Sequence, residues 1–322
     1  MKKFLIKLMT FITLFLLLNI LIIALPENDN DFLHAITDKH QLLRLTQNDK
    51  RLIVIGGSNV AFGVDSKKIE AQLGIRVINV AVHAGMGLKY TLDDIVKYIN
   101  KGDIVLLIPE YHMFYDDKFY GGTETIEVLR ICPENLNSIS FKQFIQMFKG
   151  YPPYVRRKVG YTALNLMGVK KFGDIYFRDS FNEYGDLVAH LERENLIFDT
   201  SCRLEKLNPE VFSYIEQIKS QIDAHEGVLL ISFPSFHVTA YNDVRKQVNT
   251  VVRELKNNSN LNIISNFQDY IFDHELFYNS IYHLNADGRE LRTARLIKDL
   301  QRLTGVAGIS WQPNPSVGKY LQ

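Results

Sequence analysis

The sequence predicts an α/β protein built on a doubly wound, mostly parallel sheet, carried behind an N-terminal apolar helix. Three observations predict it. Short β-rich apolar runs alternate with segments whose apolar residues fall at helical spacing. The two strongest of the early runs end at Gly56 and Pro109, residues that stop a strand. The first residues form a near-continuous apolar stretch behind lysines. Strand, helix and strand at this spacing imply right-handed crossovers between parallel strands.

Arg51 to Gly56 is the first strand, a short apolar run from Leu52 to Ile55 that ends in glycine and reads as buried on both faces of a parallel sheet. Ser66 to Leu73 reads as a helix with Ser66 as its cap. Val77 to Val80 is a second short strand, and Leu88 to Ile99 a helix with Leu88, Leu92, Ile95, Val96 and Ile99 on one side. Ile104 to Ile108 is the third strand. From Tyr111 to about Glu226 the strand signal is lost, and helices are expected near Phe141 to Lys149 and Pro209 to Ala224. The sheet resumes at Val228 to Phe233 and Leu261 to Ile264, with helices at Val244 to Lys256 and Ala286 to Leu303. The expected organisation is 1–26 as a membrane segment, 27–50 as a polar linker, and 51–303 as the α/β domain. Within it 111–226 is a mostly helical insertion, and 304–322 is an irregular tail.

The apolar run Leu8 to Leu25 follows Lys2, Lys3 and Lys7. Its length is just enough for a helix to cross the hydrocarbon core. The lysines precede it, so the positive-inside rule puts the N-terminus in the cytoplasm and the rest outside. An uncleaved single-pass anchor is the favoured reading and a cleaved signal peptide the alternative, since no small-x-small cleavage site stands near Ile23, Ala24 and Leu25. A net charge of +1 offers no field for nucleic acid. The two cysteines, Cys132 and Cys202, fit a pair or two free thiols equally, and no Cys/His spacing calls for zinc, so no metal is expected.

Two motifs carry chemistry. Ile55-Gly-Gly-Ser-Asn-Val-Ala-Phe-Gly63 stands where the first strand meets its loop. The carboxyl ends of strands are where doubly wound sheets bind ligands, and a Ser there presents its hydroxyl and its own N–H. The motif is neither a dinucleotide fingerprint nor a phosphate loop. Tyr282-His-Leu-Asn-Ala-Asp-Gly288 precedes the last helix, and His283 on that loop has the chemistry of a general base.

Together the two motifs resemble the SGNH (GDSL-like) hydrolase superfamily, in its membrane-anchored bacterial form. The resemblance covers about Arg51 to Pro109 and Val228 to Leu303, and implies a flavodoxin-like sheet and no cofactor. It makes Ser58 the nucleophile, in a block where Gly57 stands in the place of the family's usual Asp. It makes His283 the base and gives Asn279, where the family has an Asp, the task of orienting it; Asp273 or Glu275 are alternative acids. The oxyanion donors it implies are the N–H groups of Ser58 and of Gly85 or Gly87. Asn59, Glu110 and Tyr111 are expected at the substrate, with Glu110 where the family's block-three Asn belongs. His83, His112 and His237 are weaker candidates, as single histidines after strands. The implied activity is an esterase or O-acyltransferase acting on acyl esters, acetyl being the expected group, of a cell-surface glycan. The alternative is a catalytically degenerate relative that binds glycan or an envelope partner.

Overall fold

The computed structural model describes residues 1–25, 29–167 and 175–303. The expected tail, 304–322, lies outside the described residues. Helices run in chain order as α1 Lys2–Ala24, α2 Ala35–Leu45, α3 Ser58–Gly63, α4 Ser66–Leu73, α5 Leu88–Ile95, α6 Thr123–Ile131, α7 Phe141–Leu166, α8 Glu210–Ala224, α9 Val238–Asp243, α10 Arg245–Asn257 and α11 Ala286–Gln301. The strands are β1 Arg51–Gly56, β2 Arg76–Asn79, β3 Ile104–Ile108, β4 Val228–Ile231, β5 Phe236–His237, β6 Asn262–Ile263 and β7 Ile271–Phe272.

Five strands form one sheet in the order β2-β1-β3-β4-β6, and every pairing is parallel; β5 and β7 pair beside it. Alternate residues of each strand face opposite layers. Ile53, Ile55, Val105, Leu107 and Ile231 enter one core with α5, α8 and α10. Leu52, Val54, Val77, Leu106 and Leu230 enter the other with α3, α4 and α11. All six residues of β1 are buried, the pattern read from its unbroken apolar run. Arg51 breaks that run chemically but is also wholly buried. Its guanidinium clasps Asp103 with two hydrogen bonds, of 3.0 and 2.5 Å, and donates to Leu43 O and Tyr98 O. A buried ion is tolerable when its donors are all engaged in this way.

The chain leaves β1 for β2 on one side and then returns to β3 on the other. The sheet order therefore reverses between β1 and β3, and their carboxyl ends border the crevice that such a reversal opens. This register positions the site.

Residues 29–50 are not a linker. Phe32, Leu33, Ile36 and Leu43 are buried, and α2 packs on β2. Lys39 enters the interior, where its ammonium donates to Asn79 O, Ala81 O and Gly185 O at 2.9, 2.6 and 2.7 Å. The polar composition concealed an amphipathic helix whose one lysine is a clamp. Asp65 rather than Ser66 caps α4, accepting from Lys68 N–H, while the Ser66 hydroxyl goes to Asp186. Among the described residues of 111–226 no strand joins the sheet; α6, α7 and α8 supply the regular structure. Cys132 and Cys202 are both free. α1 is long and apolar enough to cross a bilayer, and none of its residues is buried.

Candidate functional site

Gly56 pairs with Ile108 in the β1–β3 register, so two residues further on Ser58 and Glu110 must meet. They do. The Ser58 hydroxyl donates to Glu110 Oε1 at 3.3 Å, and the same oxygen accepts from Asn59 N–H at 3.0 Å and from Asn59 Nδ2 at 3.3 Å. Glu110 Oε2 lies 3.4 Å from His112 Nδ1. The carboxylate fills the space that a side chain at position 57 would need. A Cβ on Gly57 would stand 2.4 Å from Glu110 Oε1 and 2.8 Å from the Ala84 Cβ. The carboxylate that meets Ser58 at the switch point therefore comes from the loop after β3, and Gly57 leaves the room it needs.

Behind this contact lies Arg292 of α11, wholly buried. It donates to Asn59 O at 3.0 Å and to Asn59 Oδ1 at 3.3 Å. Burial pushes its guanidinium down to about 10. Asn59 thereby links a buried cation to a buried anion.

His283 is placed by the turn before α11. Asn285 caps that helix by accepting from Gly288 N–H at 3.0 Å, which fixes the loop on which His283 stands. The imidazole lies flat on the Phe62 ring, with centroids 3.9 Å apart and planes inclined by 5°. Phe62 is one helical turn after Ser58 on α3, so the two project from the same side of that helix. Asn279 Nδ2 donates to the Tyr176 hydroxyl at 2.9 Å, which turns Asn279 Oδ1 toward His283 Nδ1 at 2.7 Å. Nδ1 therefore carries the proton, and Nε2 is left with its lone pair. Burial, aided by His83 and His190, pushes the imidazolium down to about 3, so His283 is neutral. Among the described residues no carboxylate contacts its ring; Asp273 and Glu275 do not take the acid's place.

His83, after β2, is the residue that sequence reasoning undervalued. Its Nδ1 accepts from Gly85 N–H at 3.0 Å, so Nε2 must carry the hydrogen and is a donor. Its ring meets Phe32 edge-on, with centroids 6.5 Å apart, at the wall of the cleft described below. The signal was the Gly two residues later, which frees one backbone N–H to fix the tautomer of a strand-end histidine.

Several expected roles fail on the same geometry. Gly85 N–H is spent on His83, and Gly87 N–H on Ala84 O at 3.0 Å, so neither is offered as an oxyanion donor. Asn59 is fully buried beneath Ser58, and Tyr111 lies in the core against Phe236; neither reaches a substrate. Glu110 is likewise buried and touches Ser58 instead. Ser58, 7% exposed, does not hydrogen-bond His283; its partner is Glu110. His237 stands apart, its Nε2 on His274 Nδ1 at 3.0 Å.

A cleft of about 280 Å³ approaches this cluster, lined among others by Phe32, His83, Tyr154, Arg157 and Tyr176. It adjoins the centre through His83 and through Tyr176, the partner of Asn279. Elsewhere, ligand atoms of His40, Cys132 and Glu134 lie within 4.8 Å of one another. That group shares no residue with the centre, and burial pushes the Cys132 thiol up to about 12, so it is a neutral thiol facing His40 Nδ1 at 3.8 Å. Compared with protein-family models and with curated proteins, the chain matches none.

Proposed function

We propose that this chain is a membrane-anchored, SGNH-like esterase or O-acyltransferase that acts on acyl esters, acetyl first among them, of cell-surface glycan. Its α/β domain then stands outside the cytoplasmic membrane of a bacterium. The observation that carries this reading is the preparation of His283. Asn279 holds Nδ1–H, Phe62, one helical turn from Ser58, holds the ring plane, and the surroundings keep Nε2 unprotonated. A neutral imidazole fixed in one tautomer offers the lone pair that a general base needs, and an imidazolium held at about 3 makes it a weak base that gains strength only when a charge reaches Nδ1–H.

In this reading Ser58 turns its hydroxyl from Glu110 to His283 Nε2 and attacks the acyl carbon. His283 takes the proton and returns it to the leaving alcohol, or draws one from the acceptor. The developing oxyanion is met by Ser58 N–H and by His83 Nε2–H, which supplies the donor that the family draws from its block-three Asn. An aromatic and a basic side chain of the cleft, Tyr176 and Arg157, suit a sugar.

One observation favours the second reading, a catalytically silent relative that binds glycan or an envelope partner. The Ser58 hydroxyl is donated to a buried carboxylate, beside which negative charge is disfavoured. A serine-reactive fluorophosphonate probe decides between them. The enzyme is labelled at Ser58 and Ser58→Ala is not; a folded chain that remains unlabelled over long incubation sinks the enzyme and leaves the binding protein.

A further inference from the structure

The helix α7 has an inner and an outer face of unlike meaning. Gln143, Gly150, Tyr154 and Lys158 are buried at intervals of seven, four and four, the spacing of one face. The opposite face carries Phe141, Phe144, Ile145, Phe148, Val159 and Leu166, again at helical intervals, and all are exposed. Phe141 and Phe148 are 76% and 75% exposed, and Leu166 is 85% exposed. A stripe of this kind along 26 residues is not an ordinary water-facing surface.

The contacts of α7 with α1 say what covers it. The Tyr151 hydroxyl bonds Asn19 Oδ1, and Lys158 Nζ donates to Ile23 O at 2.8 Å. The apolar run of α1 ends at Leu25, so Ile23 and Asn19 lie two and six residues inside it. At about 1.5 Å per residue those depths are roughly 3 and 9 Å. The deeper contact falls within the roughly 5–10 Å at which an amphipathic helix lies in a membrane interface, and the shallower one stands nearer the surface. Lys149 and Arg156 flank the stripe, and long basic side chains suit a headgroup layer.

We propose that α7 lies in the interface of the bilayer that α1 crosses, with Phe141, Phe144 and Phe148 among the acyl chains. The occupant of its apolar face is lipid. This rests on α1 being in a membrane. The inner face of α7 contributes Tyr154, Arg157 and Lys158 to the cleft. The cleft thus opens at the membrane surface, and the substrate class that fits is a glycan still held there by a lipid rather than one released into solution.

The test uses the full chain in phosphatidylcholine–phosphatidylglycerol vesicles, with and without brominated acyl chains, on a Trp311→Phe background. Leu14→Trp reports on α1, and Phe148→Trp on α7. Both tryptophans should lose most of their emission to the bromines, and the Phe148→Trp emission should be blue-shifted. If Leu14→Trp is quenched and Phe148→Trp is not, the helix faces water and the proposal is overturned while the anchor stands. If Phe148→Trp is blue-shifted, unquenched and dependent on protein concentration, a second copy covers the face and lipid does not. If neither is quenched, the anchor reading falls along with the proposal.

Discussion

Replacing Asn279 by Asp tests the centre most directly. Asn279 Oδ1 is 2.7 Å from His283 Nδ1, and Tyr176 can reverse its hydrogen bond to donate to the new carboxylate, so the geometry survives. The change adds one negative charge about 4 Å from the centre of the imidazole. At an effective dielectric constant of about 20 that interaction is about 4 kcal/mol, or roughly three pKa units. The His283 imidazolium, now at about 3, should rise to about 6. Ring-nitrogen shifts of a histidine-labelled sample, assigned against His283→Gln, read this directly. A pKa that stays near 3 would mean that Asn279 does not face the ring and would remove the oriented base from the proposed mechanism. Labelling by the fluorophosphonate probe should accelerate in parallel. In serine-protease triads the reverse change, Asp to Asn, costs about ten-thousandfold, which sets the upper bound on the gain.

Three further outcomes follow from the same coordinates. His83→Ala should slow probe labelling by about 10²–10³ if Nε2–H is an oxyanion donor, with the urea midpoint little changed; an unaltered rate returns His83 to a structural role. Burial holds His190 down to about 4 and His283 to about 3. The unfolded chain therefore binds more protons below its usual 6.5, and stability falls as pH drops from 6.5 toward 4, by about 2 kcal/mol for each histidine at pH 5. Denaturant curves at pH 7 and 5 should show a loss about 2 kcal/mol smaller in His190→Gln than in the parent; equal losses would refute the assignment. Lys39→Met should cost about 3 kcal/mol or more, because it strips the partner from three buried carbonyls, and a calorimetric midpoint equal to the parent's would contradict that clamp.

Strands were the most legible part of the sequence, because a strand buried on both faces leaves a short apolar run, and flanking Gly or Pro marks it off from a buried helix. Arg51 to Gly56, Ile104 to Ile108 and Val228 to Phe233 read as strands in this way, and the last of them stops at Ile231 in the structure. Helix α2 was not, since Lys39 and His40 read as polar although both are buried, and only tertiary partners explain them. At the site, Ser58 and His283 were legible as two local patterns. What joins them was not. Arg292 is a helix residue like any other until the fold brings it against Asn59, 233 positions away. The Glu110–Ser58 contact required the β1–β3 register, which no local pattern encodes. Glycine N–H groups were assigned to a substrate from motif position alone, but whether an N–H is free depends on where the neighbouring carbonyls and rings lie.

The interlocking of Gly57 with Glu110 constrains how such a site can be altered. An Asp introduced at position 57 would overlap the Glu110 carboxylate and set two like charges together. A shorter side chain introduced at 110 would leave Asn59 N–H without its acceptor and Asn59 Nδ2 with Ile108 O alone. Either step taken first passes through a damaged protein, whereas both together need not. A library that randomises one position at a time would therefore report both as immutable, and only one that varies 57 and 110 as a pair would find the exchange.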